Sequence, residues 1–245
     1  KNVSFKYPLS DKFILKNINI KIRKGTTLGI IGQTGSGKST LINLIPRIWE
    51  ASEGSIFIDG YDIKKIPLKV LRESIGIVPQ ESFLFSDTIE RNIAYSASEN
   101  DMNKEEVIHY SKIAGLYKDV ENFPYKFDTI LGERGITLSG GQKQRTSIAR
   151  AIYMRPEILI MDDSLSAVDT NTEEEILQQL KSIMKDRTSI IISHRISTIK
   201  NANNIVVIGN SAIQEEGTHN ELISLDGIYN DIYKKQLLEE EIKDF

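Results

Sequence analysis

The stretch GQTGSGKST, residues 32–40, decides the fold. It fits the pattern G-x-x-x-x-G-K-[ST], and its surroundings are the ones that pattern requires. Before it, TLGII at 27–31 is an apolar run of strand length, and after it a helical pattern runs to about residue 47. The glycines let the backbone curl so that several N–H groups point into one concavity, and the helix N-terminus adds partial positive charge. Lys38 is placed to reach the β- and γ-phosphates of a nucleotide, and the Ser39 hydroxyl to ligate Mg2+. Gly32, Gln33, Thr34, Gly35, Ser36, Gly37, Lys38, Ser39 and Thr40 therefore read as the nucleotide-binding set.

Working outward, residues 2–7 and 14–22 alternate apolar and polar side chains, as strands do. Asp59-Gly60, between 55–58 and 61–63, signals a two-residue hairpin. Pro67 suits the first position of a short helix. Residues 75–78 form an apolar strand ended by Pro79. From Gln80 to about Pro156 strand signals largely vanish, and helical patterns occupy 87–94, 104–114 and 140–154. Strands return at 158–161, 189–192 and 205–208, with helices between them, so the strands are expected to be parallel with crossover helices. The acidic run 239–241 reads as the solvated face of a terminal helix.

Composition narrows the function. The chain has 245 residues, 31 Lys plus Arg against 34 Asp plus Glu, and a formal charge of -3. A dedicated nucleic-acid binder is usually basic overall, so no nucleic-acid partner is expected. With no cysteine, the chain has no disulfide scaffold, thiolate metal site or cysteine nucleophile. His109, His194 and His219 are too scattered for an H-E-x-x-H metal motif. No apolar run approaches the roughly 18 residues of a membrane span. There is no signal-peptide pattern, and a start almost inside a strand, without Met, reads as a domain cut from something longer.

Two more strings carry chemistry. ILIMD at 158–162 is a buried strand ending in a carboxylate, Asp162, which is costly unless paired. Downstream of a phosphate loop, that carboxylate fits the Walker B role of holding Mg2+ through water. LSGGQ at 138–142 opens a long helix with Ser139 as a natural N-cap. The two following glycines penalise a helix, so they make sense where an anion must approach the backbone. Two phosphate-binding helix ends on one chain need either two phosphate groups or one shared between molecules.

With these strings in place the chain resembles, over essentially its whole length, the nucleotide-binding domain of ATP-binding-cassette (ABC) transporters. The LSGGQ string is that family's signature. The order also matches: phosphate loop, a Gln after a strand, signature, Walker B, a His after a strand. The resemblance implies an α/β fold: a RecA-like P-loop NTPase core with an N-terminal antiparallel β sub-domain. A helical sub-domain carrying the signature would be inserted at 81–156, the whole of 1–245 being one ATPase domain whose membrane domain is absent. It also implies ATP and Mg2+, the metal held by Ser39, Gln80 and Asp162. Tyr7 falls where the family stacks an aromatic on adenine, though a strand-face tyrosine would look the same. Gln80 matches the glutamine that senses Mg2+ and water and couples to the membrane domain. Asp163 and His194 match the groups that act on the attacking water and the γ-phosphate. Ser139, Gly140, Gly141 and Gln142 would complete a partner's ATP site, and Ser166, Ala167, Val168 and Asp169 match a dimer-contact loop. The string TILGERG at 129–135 looks like the loop preceding the signature in exporters, with Ile130 where an acidic residue is usual. The expected partners are a second such domain, head to tail, and the transmembrane domain, at the cytoplasmic face of the cell membrane. A groove near Gln80, Phe83 and Phe85 would take up a coupling helix, unless those phenylalanines are local core.

One departure matters. The family's usual Glu after Walker B is Asp163 here, one methylene shorter. General-base contacts span about 2.6–3.2 Å, so the shorter reach predicts slow hydrolysis, unless a backbone shift restores it. In similar exporters an Asp here marks the degenerate half of a heterodimer. That suggests a chain that lends its signature to a working site and keeps a weak one. Two other readings stay open: a regulatory ATP-binding half with little turnover, and a soluble ABC ATPase acting on DNA or the ribosome. The second would usually carry a coiled-coil insertion or tandem cassettes. A GTPase lacks its N-K-x-D string here. Leu165, in the loop after Walker B, has no account from sequence. Trp49 reads as packing and His219 as structural.

Overall fold

The computed structural model describes residues 1–98, 100–132 and 138–243. Its contacts divide the chain into one unit of Lys1–Arg72 with Ile190–Phe245, and a second of Glu73–Ser189.

The first unit begins with β1 (Val3–Phe5) and β2 (Leu15–Ile18), paired antiparallel with Val3 opposite Ile18 and Phe5 opposite Leu15. Both are shorter than their alternation suggests. At β2's end Asn19 diverts the ladder: its side chain accepts the Asn2 N–H at 2.9 Å and donates to the Asn17 carbonyl at 3.0 Å. Asn side chains compete with backbone pairing in this way. Strand β3 (Thr27–Ile31) leads through the phosphate loop into α1 (Lys38–Leu44). The helix stops short of residue 47 because Pro46 follows and Arg47 sits at φ 54. Strands β4 (Phe57–Ile58) and β5 (Tyr61–Asp62) form the expected hairpin, with Asp59 and Gly60 both at positive φ. Helix α2 (Leu68–Glu73) starts just after Pro67.

The second unit holds β6 (Ile75–Val78), α3 (Ile89–Ile93), α4 (Lys104–Ile113), α5 (Tyr117–Glu121), α6 (Gly140–Tyr153), β7 (Ile158–Asp162) and α7 (Thr170–Met184). Strands β6 and β7 run parallel, Ile75 opposite Ile158 through Val78 opposite Met161. The expected insertion, 81–156, lies wholly in this unit. Helix α6 packs closely on β6: a side chain at Gly76 would come within 2.8 Å of the Ala151 carbonyl. Ile148 and Ile152 of α6 are fully buried, each contributing about 1.5–3 kcal/mol.

Strand β8 (Thr188–Ile192) begins in the second unit and ends in the first. There follow α8 (Ile196–Ile199), β9 (Asn204–Gly209), β10 (Ala212–Gly217), α9 (His219–Ser224) and α10 (Ile228–Lys243). In the first unit β3 and β9 are parallel, Leu28 opposite Asn204 through Ile31 opposite Val207, and β10 is antiparallel to β9. Sequence reading did not anticipate β10. It is a half-exposed edge carrying Glu215 and Glu216, and its turn, Asn210-Ser211, reaches φ 50 and 67 without a glycine. Among the described residues no helix is long and apolar enough to cross a membrane.

Candidate functional site

In the first unit, the loop between β3 and α1 closes on itself around an ammonium. Lys38 is buried, and its Nζ donates to the Gly32 carbonyl at 2.8 Å and the Gln33 carbonyl at 3.0 Å. A Cβ at Gly32 would fall 2.2 Å from the Ile208 carbonyl, so the backbone there passes too close to β9 for any side chain. Gly37 caps α1 at φ 99, and a Cβ there would meet Leu15 at 2.9 Å. Both positions require glycine. The Ser36 hydroxyl oxygen is buried with no hydrogen-bond partner among the described residues. A cradle that side chains would fill, a buried hydroxyl awaiting a partner and a lysine at a helix mouth together fit a bound phosphate chain.

Tyr7 and Thr40 are joined at their hydroxyls, 2.8 Å apart, which ties the tyrosine to α1. Trp49 packs edge-on against Tyr7, the ring centroids 5.5 Å apart, so the tryptophan supports that aromatic. His194 is exposed just after β8. Ser193, beside it, donates its N–H to the Ile30 carbonyl at 3.3 Å, anchoring the turn to the strand that enters the phosphate loop. Gln236 of α10 brackets the same turn. Its amide donates to the His194 carbonyl at 2.6 Å and accepts the Ile196 N–H at 2.9 Å. No sequence signal pointed to Gln236, which lies 42 residues from His194.

The second unit gathers the remaining candidates. The parallel register of β6 and β7 pairs Val78 with Met161. Gln80 and Asp163 each lie two residues further on, at the same end of the strands. Asp162 and Asp163 are both buried. Asp163 has φ 43, a left-handed conformation that Asp tolerates better than most residues. Its carbonyl accepts the Ser166 hydroxyl at 2.8 Å and the Ser166 N–H at 3.2 Å, so the turn is over-determined. Leu165 is a core residue, which accounts for its apolar character.

Ser139 caps α6 as its sequence suggests, and more completely. It forms a full capping box with Gln142: the Gln142 N–H bonds the Ser139 hydroxyl at 3.2 Å, and the Ser139 N–H bonds Gln142 Oε1 at 3.0 Å. A Cβ at Gly141 would lie 3.0 Å from the Ala167 carbonyl, so the second signature glycine makes room for the loop after β7. In that loop Ser166 and Ala167 are exposed and Val168 is buried. Asp169 caps α7, accepting the Thr172 N–H at 2.9 Å, and that bond holds its carboxyl below the ordinary value.

Phe83 is exposed and meets Phe85 edge-on, while Phe85 stacks on Tyr95 with centroids 4.3 Å apart. Arg150 of α6 lies over Phe85 and donates to the Phe83 carbonyl at 2.8 Å and to Asn92. Burial pushes this guanidinium down to about 10. Phe83 is therefore an exposed aromatic resting on Phe85, which is half-buried between Tyr95 and Arg150. Of the string 129–135, residues 133–135 lie outside the described residues, and Ile130 is exposed. His219, read as structural, bonds the Tyr229 hydroxyl at 2.8 Å through Nδ1.

A family model described as ABC transporter matches residues 15–166. A putative multidrug export ATP-binding/permease protein of Staphylococcus aureus strain NCTC 8325 is 47% identical over 237 residues, covering 97% of this chain and 41% of the relative. Its counterpart in the bovine strain RF122 is 46% identical over the same share. Among solved structures, a bacterial Atm1-family ABC exporter with ATP bound superposes with a TM-score of 0.92 at 40% identity, over 96% of this chain and 41% of that one. The chain thus spans about two fifths of the length of these relatives.

Proposed function

Because this chain belongs to the ABC transporter family, we propose that it binds and hydrolyses ATP to power substrate export by a membrane transporter. Gly32 to Thr40 would cradle the phosphates and Tyr7 would stack on adenine. Ser39, Gln80 and Asp162 would hold Mg2+, which when bound neutralises phosphate charge. Asp163 would polarise the attacking water, and His194 would contact the γ-phosphate. The triphosphate would lie between the Lys38 mouth of one domain and the Ser139 mouth of its partner, with Ser166 to Asp169 at the contact. ATP then supplies charge that both faces need, and its hydrolysis releases them. The exposed Phe83 and the half-buried Phe85, close to Gln80 in sequence, would offer apolar surface to the transmembrane domain at the cytoplasmic face.

The observation that carries this reading is one chain with two glycine-dependent helix mouths. At Gly32 a side chain would collide with the Ile208 carbonyl at 2.2 Å, and at Gly141 it would press on the Ala167 carbonyl at 3.0 Å. The short Asp163 favours a heterodimer in which this chain's own pocket turns over slowly; a mainly regulatory half would be the limit of that trend. The test is nucleotide binding to the assembled transporter. Lys38→Ala should weaken ATP binding at least about tenfold, as loss of a charge-assisted contact does. Unchanged binding would refute the phosphate-cradle reading.

A further inference from the structure

The signature turn is gripped from behind by a residue that none of the motifs includes. Asp119 lies in α5, and its carboxylate divides between two partners on α6. Oδ1 accepts from Gln142 Nε2 at 2.9 Å, and Oδ2 accepts from Arg145 Nη2 at 2.8 Å. Gln142 and Arg145 are three apart and share one helix face. Arg145 keeps only 12% of its side-chain surface exposed and Asp119 27%, so the pair is largely desolvated. The carboxylate borders an open cleft of about 870 Å3 between α5 and α7, which leaves one edge in contact with solvent.

The bond to Gln142 reaches the mouth directly. The same amide whose nitrogen is held by Asp119 accepts the Ser139 N–H through its oxygen. Asp119 therefore fixes which way the amide points, and so fixes the cap that holds Ser139. Its second oxygen pins the Arg145 cation one turn inside the helix; a side chain at Gly141 would lie 3.7 Å from that guanidinium. Without the carboxylate, Gln142 could turn over, and the Arg145 cation beside the glycines would lose its bonded partner and keep only the charge of Asp169.

We propose that Asp119 is a positioning residue for the signature mouth, setting the geometry and local charge with which Ser139, Gly140 and Gly141 meet a neighbour's triphosphate. This rests on the reading of that mouth as the second half of a partner's ATP site. Its consequence is specific: Asp119 acts on the pocket of the other chain and not on the Lys38 pocket of its own.

The experiment uses the full transporter in lipid nanodiscs and measures ATP turnover against ATP concentration, together with thermal stability. Asp119→Ala should raise the KM for ATP roughly tenfold, the loss of one charge-assisted hydrogen bond. Asp119→Glu should recover part of that loss. A double variant, Asp119→Leu with Arg145→Met, replaces the ion pair with apolar contact and should restore stability. It lacks the anchor for Gln142, so its KM should stay raised. Restoration of KM along with stability would show a purely structural role and overturn the proposal, as would a wild-type KM in Asp119→Ala. The control is Gly141→Glu, which places a carboxylate in the mouth. If it leaves turnover intact, the two-mouth reading itself fails. If it abolishes turnover while Asp119→Ala behaves as wild type, only the role of Asp119 fails.

Discussion

The side-chain amide of Gln144 ties the signature helix to the loop after β7: its oxygen accepts the Ala167 N–H at 2.9 Å. Its nitrogen donates to the Ser166 hydroxyl at 3.2 Å and lies 3.4 Å from the Asp163 carbonyl. Gln144 is buried beneath the exposed Ser166 and Ala167. Gln144→Leu should therefore destabilise the chain by about 0.5–1.5 kcal/mol per lost bond, since Ser166 and Ala167 lie in an exposed loop that water can reach. Urea unfolding measures it. A midpoint within error of wild type would mean that the bridge contributes nothing.

The turn at Asp163 is fixed through its backbone carbonyl, which accepts the Ser166 hydroxyl and N–H. Those bonds use main-chain atoms, so substitution of the side chain leaves the acceptor itself in place. Asp163→Glu should raise single-turnover hydrolysis about tenfold or more, because proximity effects on a general base are steep. Asp163→Asn should abolish turnover at this chain's pocket while nucleotide binding persists. No gain with Glu would count against the shortened-reach account and favour a merely tolerated substitution.

Much of this was legible in the sequence, and the parts that were not share a cause. The phosphate loop, the Ser139 cap, the β6 and β7 strands and the Asp59-Gly60 hairpin are local patterns of adjacent residues, so a linear reading reaches them. Gln236, Asp119 and Gln144 act through side-chain amides or a carboxylate on partners 19 to 42 residues away, and nothing near them in sequence signals it. Strand β10 was hidden for a different reason. It pairs on one edge only, so its exposed glutamates are tolerated and its apolar alternation is weak. Leu165 illustrates a third case, in which a residue inside a functional motif is chosen by the core beneath it.

The bracket of Gln236 around His194 predicts a role for the C-terminal helix in turnover. Gln236→Leu removes the donor to the His194 carbonyl and the acceptor of the Ile196 N–H. The stability cost should be modest, about 0.5–1.5 kcal/mol per bond, since the site is partly wet. The γ-phosphate-dependent step should suffer more, with single-turnover hydrolysis falling several-fold while ATP binding holds. Unchanged hydrolysis would show that the turn holds its shape without the helix.

Acid should destabilise the chain in two stages. Burial, and secondarily the Lys200 cation, hold His219 below its ordinary 6.5. The Thr218 backbone N–H holds Glu221 below 4.5, and the Thr172 N–H holds Asp169 below 3.8. All three are depressed in the folded state. Each contribution is complete above the ordinary value and is lost as pH falls through the folded one. Tyr229 is pushed up to about 12, chiefly by burial, so its contribution fades only in alkali, above its ordinary 10.0. Thermal melts should show a plateau from about pH 7 to 9 and a decline below it. The first part of that decline should be absent in His219→Gln and the later part reduced in Glu221→Gln. A melting temperature that rises on acidification would contradict these signs.

Closure of two domains head to tail over ATP is directly measurable by disulfide crosslinking, because these 245 residues hold no cysteine and any native cysteines elsewhere in the transporter can first be replaced. In the assembled transporter, Thr34→Cys, in the exposed phosphate loop of this chain, would be paired with a cysteine at the signature serine of its partner. Ser139→Cys here would be paired with the partner's phosphate loop in turn. Oxidation with ATP and Mg2+ present should join both pairs, and without nucleotide it should join neither. Crosslinking that never occurs, or that proceeds equally without nucleotide, would contradict the account.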